Sequence, residues 1–166
     1  MYLSRNATQH LRRRTAVREL TVEEIIRYAQ SIEKESYNFY KEAGKRFSDE
    51  NLKRTADELA ESEILHLSRL RKLLEEKKLT KADLEHRVSF DTTKYDLLVN
   101  TGIISNNASV TDILNTALLR ETKTAETYRL FLSFTGISTE LYDLFEYLYS
   151  QEEGHATLVR NKLNTM

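Results

Sequence analysis

The sequence predicts an all-α protein with four long helices, arranged as two helical hairpins that a long crossover connects. The 166 residues include no proline, only four glycines and 31% charged residues, so the chain holds few helix breakers. Apolar residues recur every three or four positions through four segments, which is the period of an amphipathic helix. The first two segments also match the last two at a nearly constant offset, which indicates a repeated hairpin.

A capping box predicts where the first helix begins. Thr21 precedes Glu24 by three positions, so each side chain can accept a hydrogen bond from the other's backbone amide. The helix is expected to end near Phe47. Its core stripe includes Glu33, whereas Glu35 falls beside that stripe and is expected at the surface.

The second helix is predicted over about residues 50–78. Either Ser48 or Asp49 can cap its first turn, because both residue types favour that position. Its apolar face carries six residues at helical spacing: Leu52, Ala56, Leu59, Leu70, Leu73 and Leu74.

The crossover, residues 79–108, shows no sustained period. The stretch "TTKYDLLVN" is compatible with one short helix, and the polar run after Gly102 is typical of a loop. Asp83 and His86 have a spacing that also suits a metal ligand pair. They have no matching partners in the other hairpin, so we expect them at the surface.

A third helix is predicted from a second capping box, Ser109 with Asp112. It is expected to continue to about Thr135 and to stop at Gly136, because glycine tolerates the left-handed conformation that follows many helices. Ser138 then caps a fourth helix that ends near the C-terminus.

Residues 1–20 differ from the rest, since they contain five arginines and one acidic residue without a helical period. We predict a loosely attached basic arm over 1–20, which includes an uninvolved His10, and a helical domain over 21–166. The net charge of -1 gives no reason to expect nucleic acid or an anionic membrane as partner. No apolar run approaches the roughly 20 residues of a membrane span, so a cytoplasmic protein is expected.

The two hairpins match at positions that carry chemistry. Offsets of 88 residues for the first helix and 89 for the second pair glutamates with glutamates and a histidine with a histidine. Both Glu-x-x-His motifs lie on the core stripes of the second and fourth helices. The first and third helices each place one glutamate on their core stripe, whereas Glu126 lies beside the stripe of the third. The candidate metal ligands are Glu33, Glu63, His66, Glu121, Glu152 and His155. Tyr40 and Tyr128 also match and are core aromatics. Gly154, within the second motif, is expected where helices pack closely, and room for a metal-bound ligand is the alternative reason for a glycine there.

Four buried carboxylates need neutralising charge, because each desolvated anion costs several kcal/mol and like charges repel. Two divalent cations supply four positive charges, and two neutral imidazoles complete the coordination. Mixed carboxylate and imidazole ligands suit iron or manganese; zinc is chemically possible, and calcium does not favour histidine.

The ligand order resembles that of the ferritin-like di-iron carboxylate proteins. Within that group "IEKESYNFY" followed by "LAESEILHLSRL" is most similar to the rubrerythrin family. The resemblance covers about residues 21–166 apart from the crossover. It implies a ferritin-like bundle with two iron ions. It also implies terminal carboxylates from Glu33 and Glu121, bridging carboxylates from Glu63 and Glu152, and one imidazole per iron, from His66 and His155. Tyr40 would orient a carboxylate.

Two departures from the family bear on activity. Peroxidase members carry a rubredoxin-like domain with four cysteines, and this chain has no cysteine, so electrons would come from an external donor. They also carry an extra carboxylate one turn after the helix-three glutamate, where this chain has Thr124.

Three functions remain open from the sequence. The first is a di-iron protein that reduces hydrogen peroxide or dioxygen, and the second is a ferroxidase or iron-handling protein. The third is a structural or interaction module in which metal only stabilises the bundle and the basic arm makes the contact. A homodimer is expected, and the long crossover would permit exchange of hairpins between chains.

Overall fold

The structure is a computed structural model that describes residues 17–91, 104–133 and 136–166. The all-α prediction is confirmed, since helices form most of the described chain, and one short strand pair accompanies them. The elements in chain order are β1 (Val17–Thr21), α1 (Val22–Arg46), α2 (Glu50–Glu75), α3 (Lys81–Glu85), β2 (Arg87–Asp91), α4 (Val110–Leu132) and α5 (Thr139–Asn164). The helices α1 and α2 form one hairpin, and α4 and α5 form the other.

Side chains at the helix starts explain why each long helix begins where it does. Thr21 and Ser109 form the predicted capping boxes at α1 and α4. Asp49, rather than Ser48, caps α2 by accepting hydrogen bonds from two backbone amides at 2.9 Å. Ser138 caps α5 as predicted.

Two helices end earlier than the sequence predicted. The helix α2 ends at Glu75, and α4 ends at Leu132 with Ser133 as its C-cap. The prediction that Gly136 stops α4 in a left-handed conformation is wrong, because no described glycine has a positive φ angle. The helix C-terminus is therefore set by Ser133, whose backbone amide bonds back to Leu130 and Phe131.

The crossover contains structure that the apolar period did not predict. Thr80 and Asp83 form a third capping box and start the five-residue helix α3. The strand β2 follows and pairs antiparallel with β1, with Thr21 opposite Arg87. The last four residues of the predicted arm therefore lie in a strand. The rest of the arm, with His10, and the segment "TTKYDLLVN" lie outside the described residues.

Two apolar clusters fill the bundle, one toward each end. The first is built around Ile26, Leu70, Phe131 and Phe145, and the second around Phe39, Leu59, Leu114 and Val159. Along every long helix the predicted ligands fall between the residues of these two clusters. The bundle therefore surrounds its polar centre with apolar layers above and below. Within the described ranges no helix is long and apolar enough to cross a membrane.

Candidate metal centre

The structure brings all six predicted ligands together in the middle of the bundle. Their side chains form two overlapping groups, and in each group the ligand atoms lie within 4.8 Å of one another. The first group is Glu33, Glu63, His66 and Glu152, and the second is Glu63, Glu121, Glu152 and His155. The four glutamates are at most 1% exposed, so their carboxylates are withdrawn from water.

Each histidine directs its Nδ1 atom at three carboxylates. His66 Nδ1 lies 3.1 Å from Glu152 Oε1, 3.3 Å from Glu33 Oε2 and 3.5 Å from Glu63 Oε2. An imidazole nitrogen carries at most one proton, so it cannot hydrogen-bond fully to all three. The three oxygens and the nitrogen surround a common point instead.

His155 repeats this arrangement in the other hairpin. Its Nδ1 atom lies 3.2 Å from Glu63 Oε1, 3.2 Å from Glu121 Oε2 and 3.7 Å from Glu152 Oε2. Glu63 and Glu152 therefore each direct one oxygen toward His66 and the other toward His155. This is the disposition that a carboxylate needs to bridge two ions.

Glu33 and Glu121 belong to one group each, and a tyrosine holds the outer oxygen of each. Tyr128 donates a hydrogen bond to Glu33 Oε1, and Tyr40 donates to Glu121 Oε1. Both bonds cross from one hairpin to the other. Oε2 is the oxygen by which each of these glutamates faces the histidine of its group, and the tyrosine fixes that orientation.

Two observations indicate that the residues of this centre fit a pair of metal ions. Both carboxylate oxygens of Glu63 and Oε1 of Glu152 are buried without a hydrogen-bond partner. Such orphaned anionic oxygens are unfavourable unless a cation binds them. Two atoms that each lie about 2.1 Å from one ion are separated by about 3.0 Å at a right angle and about 3.4 Å at a tetrahedral angle. Most of the observed N···O distances fall in that range.

Burial and mutual repulsion keep protons on part of the centre when no cation is bound. Burial, with the charge of Glu63, raises the pKa of Glu33 to about 8. Burial and the charges of Glu121 and Glu33 raise the pKa of Glu152 to about 7. Burial also acts to raise the pKa of Glu121, but the hydrogen bond and charge of His155 outweigh it and lower that pKa below its usual value.

Burial and the neighbouring charges act on the pKa values of the two imidazoles in opposite directions. Burial lowers the pKa of His66, but the carboxylates of Glu152, Glu33 and Glu63 outweigh burial and raise it to about 12. The same balance raises the pKa of His155. Protons on the imidazoles therefore partly balance the carboxylates in the metal-free centre, and cations can replace those protons.

The tyrosines stay protonated beside the carboxylates. Burial, followed by the charge of Glu121, raises the pKa of Tyr40 well above its usual value, and burial with the charge of Glu33 does the same for Tyr128. Both hydroxyls are therefore hydrogen-bond donors at neutral pH. They fix the orientation of Glu33 and Glu121 across the bundle.

Comparison with known proteins assigns the family. The model of the rubrerythrin family matches residues 24–163, which is most of the chain. The chain belongs to the rubrerythrin family. The chain shares its fold with a hypothetical protein from Pyrococcus furiosus, with a TM-score of 0.65 and 23% sequence identity. That alignment covers 86% of this chain and 87% of the other. No curated protein matches the sequence.

Membership of the family implies a di-iron centre, and the buried carboxylates and imidazoles of this chain could bind metal. Thr124, which stands where peroxidase members carry a further carboxylate, is 2% exposed, and its counterpart Ser36 is 3% exposed. Ser36 accepts a hydrogen bond of 3.1 Å from the buried Arg120. Neither side chain adds an anion to the centre.

Sequence predictions for residues outside the ligand set have mixed outcomes. Glu35, Glu126 and His86 are exposed as expected. The prediction that Gly154 permits close helix packing is wrong, because this glycine is exposed and a Cβ atom there would meet nothing within 4 Å. Sequence reasoning also missed Tyr147, whose ring contacts His66. The available signal was a difference between the hairpins, since the position that matches Tyr147 at the offset of 89 residues is Glu58.

Proposed function

We propose that this protein is a di-iron oxidoreductase that reduces hydrogen peroxide or dioxygen with electrons from an external donor. The observation that carries the proposal is the sharing of Glu63 and Glu152 between two ligand groups, with three of their oxygens lacking hydrogen bonds. Two adjacent redox ions suit a two-electron reaction, whereas a single structural ion needs only one such group.

The ligand roles in the proposal follow the contacts of each residue. Glu63 and Glu152 would bridge the two ions, since each directs one oxygen to each histidine. His66 and His155 would bind one ion each through Nδ1. Glu33 and Glu121 would be terminal ligands, since each faces one histidine only. Iron is the proposed metal, and manganese or zinc would be the alternatives.

When bound, two ferrous ions would each supply one electron, so that one hydrogen peroxide and two protons become two water molecules. The protein's part is to hold and shield the centre. Tyr40 and Tyr128 keep the terminal carboxylates in place, and the apolar clusters above and below exclude water. Because the chain has no cysteine, the electrons are proposed to return from a separate donor. A homodimer is proposed as the assembly.

The test is single-turnover reduction of peroxide. Protein loaded anaerobically with two ferrous ions per chain should consume one peroxide per pair of ions, faster than the same iron free in buffer. The variant Glu63→Gln, which lacks a ligand of both groups, is the matched control and should lose this reaction. Turnover no faster than free iron would refute the proposal.

The same preparation separates the other two functions. In air with excess ferrous iron, a ferroxidase of the storage type would take up many irons per chain, whereas we expect two. If metal only stabilised the bundle, loading would raise the melting temperature without any peroxide consumption.

A further inference from the structure

The two halves of the centre differ in their exposure to solvent. The side chain of His66 is 0% exposed, whereas that of His155 is 12% exposed. The repeated hairpins and the matching ligand contacts would give both imidazoles the same burial. Residues around the ligands must therefore break the symmetry.

Tyr147 and Ser62 contact the imidazole of His66, and Arg69 lies over the tyrosine ring. The Tyr147 ring meets the imidazole at a centroid distance of 5.9 Å and an interplanar angle of 90°. The guanidinium of Arg69 lies 4.1 Å from the centroid of the same tyrosine ring. Ser62 Oγ lies 3.3 Å from His66 Nε2, the nitrogen that faces away from the carboxylates. Together they form a cover in which the phenol ring meets the imidazole edge to face, the guanidinium lies over the phenol ring, and the hydroxyl lies beside Nε2.

The matching positions of the other hairpin lack the aromatic ring and the guanidinium, and Ser62 corresponds to the half-buried Gln151. At the offset of 89 residues, Tyr147 corresponds to Glu58, and Arg69 corresponds to Leu158. The Glu58 side chain is 62% exposed and lies 3.8 Å from Arg54, an exposed neighbour on its own helix. Beside His155, Gly154 has open space where a side chain would begin. Solvent therefore reaches the centre from the His155 side.

We propose that Tyr147 closes the His66 group and that metal ions and small oxidants enter through the His155 side. This inference rests on the proposed two-metal function. Tyr147 acts as a positioning residue, since it contacts His66 and not the ligand oxygens. The consequence is kinetic: an ion held by the His66 group leaves only when the aromatic cover opens, whereas an ion held by the His155 group exchanges directly with solvent.

Release of ferrous iron to a coloured chelator, followed anaerobically by stopped flow, tests the inference without any measurement of activity. The wild-type protein should release its two ions in two phases of equal amplitude. The rates should differ by about tenfold, the size of effect that an aromatic contact and a cation–π contact together provide. Glu33→Gln should remove the slow phase, and Glu121→Gln the fast one.

Variants of the cover identify its chemical nature. Tyr147→Ala should speed the slow phase until the two phases merge, whereas Tyr147→Phe keeps the ring and should keep the slow phase. Arg69→Ala should accelerate the slow phase to an intermediate rate, and this variant replaces Tyr147→Ala in the test if Tyr147→Ala does not fold. Tyr142→Ala, an exposed tyrosine of the same helix, is the control and should change neither phase.

The outcomes distinguish this inference from the proposed function. If the protein binds two ions that leave at one rate, or if Tyr147→Phe accelerates release as much as Tyr147→Ala, the cover is refuted while the two-metal centre stands. If the protein does not bind two ions, both proposals fall.

Discussion

Under the proposed two-metal function, replacing Glu63 with Gln should remove most of the stabilisation that metal binding gives the fold. Glu63 belongs to both ligand groups, and both of its oxygens are buried without hydrogen-bond partners. Its replacement keeps the size of the side chain but removes one anionic ligand from each group. Glu33→Gln makes the same change in one group only. The two variants should therefore differ by about a factor of two in the lost stabilisation.

The expected magnitude follows from linkage between binding and folding. A free metal concentration one hundred times the Kd stabilises the native state by about 2.7 kcal/mol per ion, so two independent ions give about 5 kcal/mol. For a protein of this size, about 2–4 °C of melting temperature corresponds to each kcal/mol, which gives a rise of about 10–20 °C. A hundredfold loss of affinity would leave about 0.4 kcal/mol per ion. Glu63→Gln should then show a rise of only a few degrees, and Glu33→Gln about half of the full rise.

Scanning calorimetry of metal-free and ferrous-loaded protein under nitrogen is the measurement. Glu35→Gln is the matched control, because Glu35 lies on the same helix as Glu33 but is exposed, and it should keep the whole rise. A full metal-dependent rise in Glu63→Gln would refute the shared role of this residue. An equal loss in Glu33→Gln and Glu63→Gln would refute the division into two groups.

Three further outcomes test individual contacts. Metal loading at pH 7 should release protons, and metal affinity should increase as pH rises. The reason is that His66, with a pKa of about 12, and Glu33, with a pKa of about 8, are protonated before metal binds. Calorimetry in two buffers of different ionisation enthalpy would detect this release, and identical binding heats would contradict it. Tyr128→Phe should lower the metal-free unfolding free energy in urea by about 1–3 kcal/mol, since it removes the hydrogen bond to the buried Glu33, and an unchanged value would mean that the bond contributes nothing. Gly154→Ala should raise the unfolding free energy by up to about 1 kcal/mol, because the site is helical, exposed and open; a loss of stability would show a contact that the structure does not contain.

Local sequence signals predicted the long helices well because helix starts depend on neighbouring residues. The capping boxes at Thr21 and Ser109 involve side chains only three positions apart, and both are confirmed. The same signal at Thr80 was present but overlooked, since the apolar period on which the prediction depended does not extend into so short a helix. Strand pairing between β1 and β2 joins segments about 70 residues apart, and no local pattern indicates such a partner.

The sequence alone determined which side chains meet at the centre. Helical spacing places Glu63 and His66 on one face, and the repeat at a constant offset selects their counterparts, so the composition of the ligand set is encoded in positions along single helices. Burial of four carboxylates then requires compensating charge, whatever the exact packing.

Only the tertiary structure decided which atoms of the candidate ligands face one another. The division of the Glu63 oxygens between two histidines and the hydrogen bonds from Tyr40 and Tyr128 across the hairpins depend on the relative rotation and shift of helices far apart in sequence. The same is true of the cover that Tyr147 forms over one imidazole. Helical periodicity fixes which face of a helix is buried, but not which atoms of another helix that face meets. The physical reason is that packing between helices is set by the shapes of all their side chains together.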